Sequence, residues 1–187
     1  MASNMIVIEN TRFQFATNFA GDPAKGYMGS DQRCGNIIIP DEELAMEMRD
    51  EGVYVKLTKP SAKWLEEHNE NEFVPEYFTK IIMNFNSKWP PRVFILKEDG
   101  TDETLTAETV GMIDDIWVDN VTVVLNKSRR DDGGVSLYVK SMEVTQKVDD
   151  DPVITRHRRR ADMAERSRNL ATDVRSEDAD EEFIPFN

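Results

Sequence analysis

Alternating apolar and polar positions dominate the first 146 residues of the chain and predict strands rather than long helices. Residues 4–19 begin with such an alternation, which breaks near Glu9 and Asn10 and therefore predicts a strand with a bulge or bend. Further strands are predicted from short apolar or alternating runs, which lie at 37–39, 53–57, 77–85, 93–96, 116–126 and 135–145. The pattern therefore predicts six or so strands, mostly antiparallel.

Helical signals in this part of the chain are few and short. Asp41 precedes a segment with acids in its first turn and Gly52 at its end, which predicts a helix over 41–52. A second short helix is predicted over 106–114, where threonines can cap the first turn. The fold class is therefore all-β, β-rich with short helices. A small oligonucleotide-binding (OB-fold) Greek-key barrel is the leading candidate, and a β-sandwich is the alternative.

The sequence changes character after residue 146. Residues 156–169 carry polar side chains on every helical face, so no apolar stripe is wide enough to dock onto the body. We expect one domain at 1–146, a charged linker at 147–176 and an acidic interaction tip at 177–187. The C-terminal tail as a whole is predicted to be disordered or helical.

The tip combines acids with large apolar side chains. Exposed aromatic surface gains nothing from water, so a merely solvated tail is expected to lack it. We interpret the tip as a ligand for a groove on a partner protein, in which acids speed association and apolar groups become buried. The alternative is a tip that folds back onto its own domain. The predicted protein-interaction residues are Asp180, Glu181, Glu182, Phe183, Ile184, Pro185 and Phe186.

Charge restricts how this chain can bind its partners. The formal net charge is -13. Residues 146–187 contain 8 basic and 11 acidic residues, a net of -3, so the preceding body carries a net of -10. Such a body cannot hold a polyanion by its overall field, and a nucleic-acid site would need a local basic groove with stacking surfaces.

Basic and aromatic residues interleave at several places in the body. Single-strand binders need this combination, because bases stack on rings while cations follow the phosphates. The candidate DNA-binding residues are Tyr27, Arg33, Tyr54, Lys56, Trp89, Arg92, Arg129 and Arg130. The alternative for any ring is a place in the core, which we favour for Phe13, Phe78 and Phe85. The two interpretations are balanced for Tyr27, Tyr54, Trp64 and Trp89.

Catalysis finds little support in the sequence. The two histidines, His68 and His157, lack Cys or acid partners at metal-ligand spacing. The acid pairs at 114–115 and 131–132 are typical of solvated caps in turns rather than of cation sites. No phosphate-binding loop or nucleophile motif is present. We therefore expect no enzymatic activity, no catalytic residue, no metal and no cofactor.

Cysteine usage and hydropathy bear on location. Cys34 is the only cysteine, which excludes a disulfide within one chain and fits a reducing cytoplasm. No apolar run reaches about 18 residues, and no secretion signal begins the chain. The expectation is a cytoplasmic protein without a membrane partner.

The tip resembles the C-terminal peptide of bacterial single-stranded DNA-binding proteins, in which several acids precede Ile-Pro-Phe. Ile184, Pro185 and Phe186 match that tripeptide, although Asn187 follows it here and Phe183 interrupts the acids. In that family the peptide recruits replication, recombination and repair proteins. The resemblance implies partners such as a polymerase, a helicase or a recombinase.

The body resembles bacteriophage single-stranded DNA-binding proteins of the oligonucleotide-binding fold. The similarity lies in short blocks, which are Asn18-Phe19, EGVYVK at 51–56, ETVGMIDDIWVDNVTVVL at 108–125 and GGVSLYVKSMEVTQ at 133–146. It implies a protein of the host cytoplasm that coats and protects exposed single strands with little sequence preference.

Two other classes of function remain open at this point. The acidic body also fits an adaptor or DNA mimic that binds host proteins and touches no DNA. An enzyme that cuts nucleic acid with an acid-bound metal is the third candidate. Whether the chain forms a homo-oligomer is left open by the sequence.

Overall fold

The computed structural model describes residues 4–147, together with Val153 and Arg160. The predictions for the linker and for the tip at 177–187 therefore lie outside the described residues, except at Lys147, Val153 and Arg160. Within the described part of the chain, no helix is long and apolar enough to cross a membrane.

The N-terminal strand is bent, as its broken alternation predicts. Strand β1 spans Met5–Thr11 and β2 spans Phe13–Asn18, so that only Arg12 separates them. The pairing register shifts between Ile8 and Thr11, and Asn10 has a positive φ of 52°. The bulge turns the chain, so that one continuous segment pairs with one strand of the sheet through β1 and with another through β2.

The middle of the fold contains the predicted helix and short strands. The observed elements are β3 (Cys34–Ile39), α1 (Glu42–Asp50), β4 (Val55–Leu57), α2 (Ala62–Glu67) and β5 (Tyr77–Ile82). Helix α1 begins after Asp41, whose carboxylate accepts hydrogen bonds from the backbone N–H groups of Glu43 and Leu44. Ser61 caps α2 by accepting from the Trp64 N–H. The Asp41 cap confirms the helix predicted at 41–52.

The last part of the barrel departs from prediction in three places. The elements are β6 (Arg92–Leu96), β7 (Asp102–Leu105), a 3-10 helix (Val110–Asp115), β8 (Val118–Arg129) and β9 (Val135–Gln146). Strand β7 was not predicted, because its sequence DETL has no apolar alternation; its pairing with β6 decides its conformation. Residues 106–114 form no α-helix, and the 3-10 helix begins only at Val110. Strand β8 continues to Arg129, so the loop predicted between the last two strands is shorter than expected.

The strands form one closed circuit. Their order is β1-β8-β9-β5-β3-β2, with β4 beside β5 and the β6–β7 pair beside β9. Because β1 and β2 are consecutive, the path returns to its start, and the Ile38 N–H donates to the Arg12 carbonyl at 3.1 Å there. Pairings are antiparallel except where β9 runs parallel to β5 and β6. The β-rich class with few short helices is confirmed, and the strands form a single sheet rather than two stacked ones.

The core lies inside this circuit. Ile37, Ile81, Val123 and Leu125 have no exposed surface, and Phe19 fills the space beside them with none either. Burying each such side chain stabilises the fold by about 1.5–3 kcal/mol. The well-packed interior stabilises the barrel. The outward-facing side chains of the same strands are not needed for the core and are free to form a binding surface.

Candidate nucleic-acid interface

A depression opens on the outer face of the barrel between β4, β5 and β9. At one end Val53 bridges Val135 beside β4, and at the other Ile82 of β5 pairs with Tyr138. Between these two points lies a cavity of about 470 Å³. Its lining residues are Gln32, Asn36, Tyr54, Lys56, Phe78, Thr79, Lys80, Ile82, Arg130, Val135, Ser136, Leu137 and Tyr138.

A second depression, of about 390 Å³, adjoins the first. It is lined by Asn84, Ser87, Lys88 and Trp89, which follow β5, and by Asn126, Tyr138 and Val139 of β8 and β9. Tyr138 lines both depressions, so together they form one continuous surface, called the groove below. Strands β5, β8 and β9 supply its floor, and loops supply its rims.

The groove has a charge opposite to that of the chain. Lys56, Lys80, Lys88 and Arg130 line it, and among the residues that the structure describes no Asp or Glu does. The chain contains 36 acidic residues, so a groove of this size that is lined by no acidic residue in the described part of the chain differs sharply in charge from the rest of the molecule. The local potential therefore favours an anion although the net charge of the body opposes one.

Two exposed rings in the groove each carry a lysine. The Tyr54 ring is 71% exposed, and Lys56 Nζ lies 4.9 Å from its centroid. Trp89 is 81% exposed, with Lys88 Nζ at 5.7 Å from its ring. A ring in this state offers open π surface and a cation at the same place, which is what a base with its phosphate requires.

The turn between β8 and β9 places Arg130 at the rim. Its N–H donates to the Gly134 carbonyl, and the Gly134 N–H donates to Asp132 Oδ1 at 2.9 Å. A Cβ on Gly134 would lie 2.2 Å from Arg130 Nη2, so the guanidinium rests against backbone that only glycine leaves open. Its Nε is 3.3 Å from Asp132 Oδ1, which holds the side chain without burying its charge.

The structure brings half of the candidate DNA-binding residues together. Tyr54, Lys56, Trp89 and Arg130 line the groove, and Tyr27, Arg33, Arg92 and Arg129 do not. Arg33 is half-buried instead: its Nη1 donates to the Phe19 carbonyl at 2.8 Å, and its guanidinium lies over the Phe85 ring. Arg33 thus supports the loop after β2 rather than the groove surface.

The other three lie at exposed positions outside both depressions. Tyr27 begins a single 3-10 turn at the tip of the loop between β2 and β3. Arg92 is the first residue of β6 and pairs with Ser141, while Arg129 ends β8 opposite Val135. Arg129 is therefore next to the groove in the sheet.

The structure also places the rings that were weighed between the core and the DNA-binding surface. Trp64 stacks on His68, with centroids 4.5 Å apart, and meets the edge of Phe73, so it organises the segment between β4 and β5. Phe13 and Phe85 pack against the core, as predicted. Phe78 is buried too, but on the outer face, where it lines the groove.

Lys80, Lys88 and Tyr138 are groove residues that sequence reasoning did not select. Lys80 stands between Phe78 and Ile82 at alternate positions of β5, all facing outward because Ile81 faces the core. A lysine at an alternate position within an apolar run was the available signal. Nothing local indicated that Tyr138 would line the same depression as Trp89.

In the part of the chain that the structure describes, no group of three His, Cys, Asp or Glu side chains converges, at the acid pairs or elsewhere. Asp114 is not the solvated cap that its position predicts. Its carboxylate accepts hydrogen bonds from the Thr17 hydroxyl at 2.6 Å, the Phe19 N–H at 2.8 Å and the Ala20 N–H at 2.9 Å. It ties the end of β2 to the 3-10 helix.

Comparison with known proteins gives one extensive match. A family model described as "Putative phage ssDNA-binding domain" matches residues 2–185. Two solved structures are similar, the single-stranded DNA-binding protein from bacteriophage Enc34 and its C-terminal truncation. The first is 14% identical with a TM-score of 0.40 over 81% of this chain and 84% of its own. The second is 13% identical with a TM-score of 0.40 over 81% and 88%. No curated protein sequence matches significantly.

Proposed function

Because the chain belongs to the phage single-stranded DNA-binding domain family, we propose that it coats single-stranded DNA through the groove, with little sequence preference. The observation that carries the proposal is the lining of the groove: three lysines, one arginine and no acid among the described residues, beside exposed rings. Cations follow the phosphates, and Tyr54 and Trp89 stack with bases. Since every base has a π face, stacking of this kind tolerates any sequence.

The position of the groove supports an oligonucleotide-binding barrel. In that fold the face of the second and third strands, with the loops after the first and fourth strands, holds the ligand. Counting β1 and β2 as the first strand of the circuit, β3 and β5 are the second and third, and β8 is the fourth. Lys80 lies on β5, Gln32 lies near the end of the loop after β2, and Arg130 lies in the turn after β8.

The proposal includes a second function for the tail. The acids and apolar residues from Asp180 to Phe186 would recruit a replication or recombination protein, such as a polymerase, a helicase or a recombinase. While the domain is bound to DNA, the tail would hold that partner close to the exposed strand. The protein would act in the host cytoplasm and would carry out no catalytic step itself.

Fluorescence anisotropy with a labelled oligo-dT tests the DNA-binding proposal. Since four cations line the groove, we expect log affinity to fall against log salt with a slope of about -3. The double variant Lys56→Ala/Lys80→Ala should weaken binding and reduce the magnitude of that slope by about 1.4. Unlabelled duplex of equal length should compete poorly.

The double variant Lys59→Ala/Lys63→Ala is the matched control, because both lysines are exposed and neither lines the groove. It should bind like the wild type. Equal affinity for single and double strands, or equal losses in the two double variants, would contradict the proposal. An adaptor or DNA mimic would instead give no signal with oligo-dT and would still capture host proteins after removal of the tip.

A further inference from the structure

Phe15 has a backbone conformation that a bulky residue rarely adopts. It lies in β2 with a φ of 67°, in the left-handed region that favours glycine. Its ring is 64% exposed. A positive φ costs conformational free energy at a side chain of this size, and a residue that stays mostly exposed regains little of that cost through burial. The fold thus retains an unfavourable conformation that contributes nothing to the core.

Strand alternation shows what this conformation does. Phe13 pairs with Ile37, which is fully buried, and its ring meets Phe19 edge-on at 5.4 Å, so Phe13 faces inward. Gln14 pairs with Asn36 on the outer face, and regular alternation would return Phe15 to the interior. The register shift that follows Gln14, together with the positive φ, leaves Phe15 outside instead.

The exposed ring adjoins the groove. Phe15 meets Phe78 in an edge-to-face contact with centroids 5.5 Å apart, and Phe78 lines the first depression. Gln14, Asn36 and Lys80 form a row of paired residues across β2, β3 and β5 on the same outer face. Asn36 and Lys80 of this row line the depression. The groove surface therefore continues past Phe78 onto β2.

We propose that Phe15 is a base-stacking residue which extends the single-stranded DNA site across β5 and β3 onto β2. The bound strand then crosses the sheet from Trp89, over Tyr138 and Lys80, to Phe15. The group that stacks on Phe15 is a base of the same DNA strand, because the Phe15 ring adjoins a groove whose lining is cationic and, among the described residues, free of acids. The inference rests on the function proposed above and assigns a contact that the groove by itself does not include.

The variant Phe15→Gly separates the ring from its backbone strain. Glycine accepts a positive φ, so the variant should unfold at the same urea concentration as the wild type or a higher one. Loss of one stacking ring should weaken oligo-dT binding by about fivefold or more, measured by anisotropy. Phe15→Tyr, which keeps the ring, should bind within about twofold of the wild type. An oligonucleotide carrying 5-iododeoxyuridine should photo-crosslink to the peptide that contains Phe15.

Trp117→Leu is the matched control for removal of an exposed ring. Trp117 is 77% exposed but precedes β8 at the end remote from the groove, about 30 Å along the strand from Asn126. It should bind like the wild type. If the wild type binds oligo-dT and Phe15→Gly binds equally well, the Phe15 contact is wrong while the proposed function stands. If the wild type itself fails to bind, the proposed function is wrong. Light scattering that shows Phe15→Gly, but not Phe15→Tyr, losing a dimer would assign the ring to self-association instead and overturn the inference.

Discussion

Single residues of the groove are placed by short-range geometry. Tyr54 and Lys56 are two positions apart in extended backbone, so both side chains point the same way and the ammonium reaches the ring. Arg130 is placed by the tight turn that follows β8, in which Gly134 leaves space for the guanidinium. Each of these placements involves only neighbours in sequence, and the placement of Arg130 is sensitive to the gain of a single carbon atom at Gly134.

Gly134→Ala should therefore weaken DNA binding without unfolding the barrel. The new Cβ would displace the flexible end of the Arg130 side chain, which costs the fold about 0.5 kcal/mol or less. With Arg130 displaced, the salt slope for oligo-dT should decrease in magnitude by about 0.7. Anisotropy at several salt concentrations and urea unfolding measure the two effects.

Gly133→Ala is the neighbouring control for this experiment. Gly133 has a φ of 83°, and a Cβ added there would have no atom within 4 Å, so alanine strains the backbone without touching Arg130. The variant should lose about 1 kcal/mol of stability and keep the salt slope at temperatures where it is folded. If the two variants change the slope equally, the contact between Gly134 and Arg130 has no role in binding.

At the scale of elements, the strand ends are joined by polar contacts that local patterns do not reveal. Asp114 of the 3-10 helix accepts three hydrogen bonds from the segment that ends β2, and Gly111 packs so closely there that a Cβ would lie 2.8 Å from Ala20. Strand β7 exists because β6 offers it a partner across the turn at Asp99–Gly100. The loop after β2, which ends at the groove with Gln32, is thereby fixed at its base.

Asp114→Asn should destabilise the barrel by about 1–3 kcal/mol, because an amide has only one acceptor oxygen and leaves a backbone N–H unpaired. Urea unfolding measures the change. Asp115→Asn is the control, since among the described residues its exposed carboxylate makes only a 3.5 Å ion pair with exposed Lys25, which should contribute under about 1 kcal/mol. Equal losses in the two variants would show that the contacts of Asp114 with β2 do not stabilise the fold.

At the scale of the whole molecule, charge is unevenly distributed. The chain has a net charge of -13, yet the groove is cationic among the described residues and the tip is acidic. We expect an anionic tail in the same chain as a cationic groove to compete with DNA for the same cations. We therefore expect the overall charge to limit the affinity for DNA, so that binding depends on base stacking in addition to electrostatic attraction.

Removal of residues 183–187 should separate the two proposed functions. Without the apolar end of the tip, pull-down of a replication or recombination protein should fail, because the side chains proposed to become buried in the partner have been removed. Affinity for oligo-dT should stay the same or rise, because the shortened tail should compete with DNA for the groove no more strongly than the full tail does. A variant with Asn187 alone removed is the control and should behave like the full chain in DNA binding. Loss of DNA binding in the larger deletion would mean that the tip is part of the folded domain.

Much of the fold was predictable because strand and cap signals are local. The bend near Asn10, the helix after Asp41 and the long final pair of strands follow from alternation and capping alone. The site was predictable only in part. Tyr54, Lys56, Trp89 and Arg130 carry their signal in nearby residues. Arg33 was selected because it shares a loop with Tyr27, but it serves that loop through contacts with Phe19 and Phe85.

The sequence by itself determined the β-rich class, most strand positions, the excess of acid and the presence of rings beside cations, because each depends on residues within a few positions of one another. Only the tertiary structure decided which of those rings share a surface. Strand order places β9 beside β5, so that Tyr138 joins Tyr54 to Trp89, and the bulge in β2 places Phe15 beside Phe78. Pairing between distant strands sets these neighbours, and no local pattern encodes the partner that a strand will have.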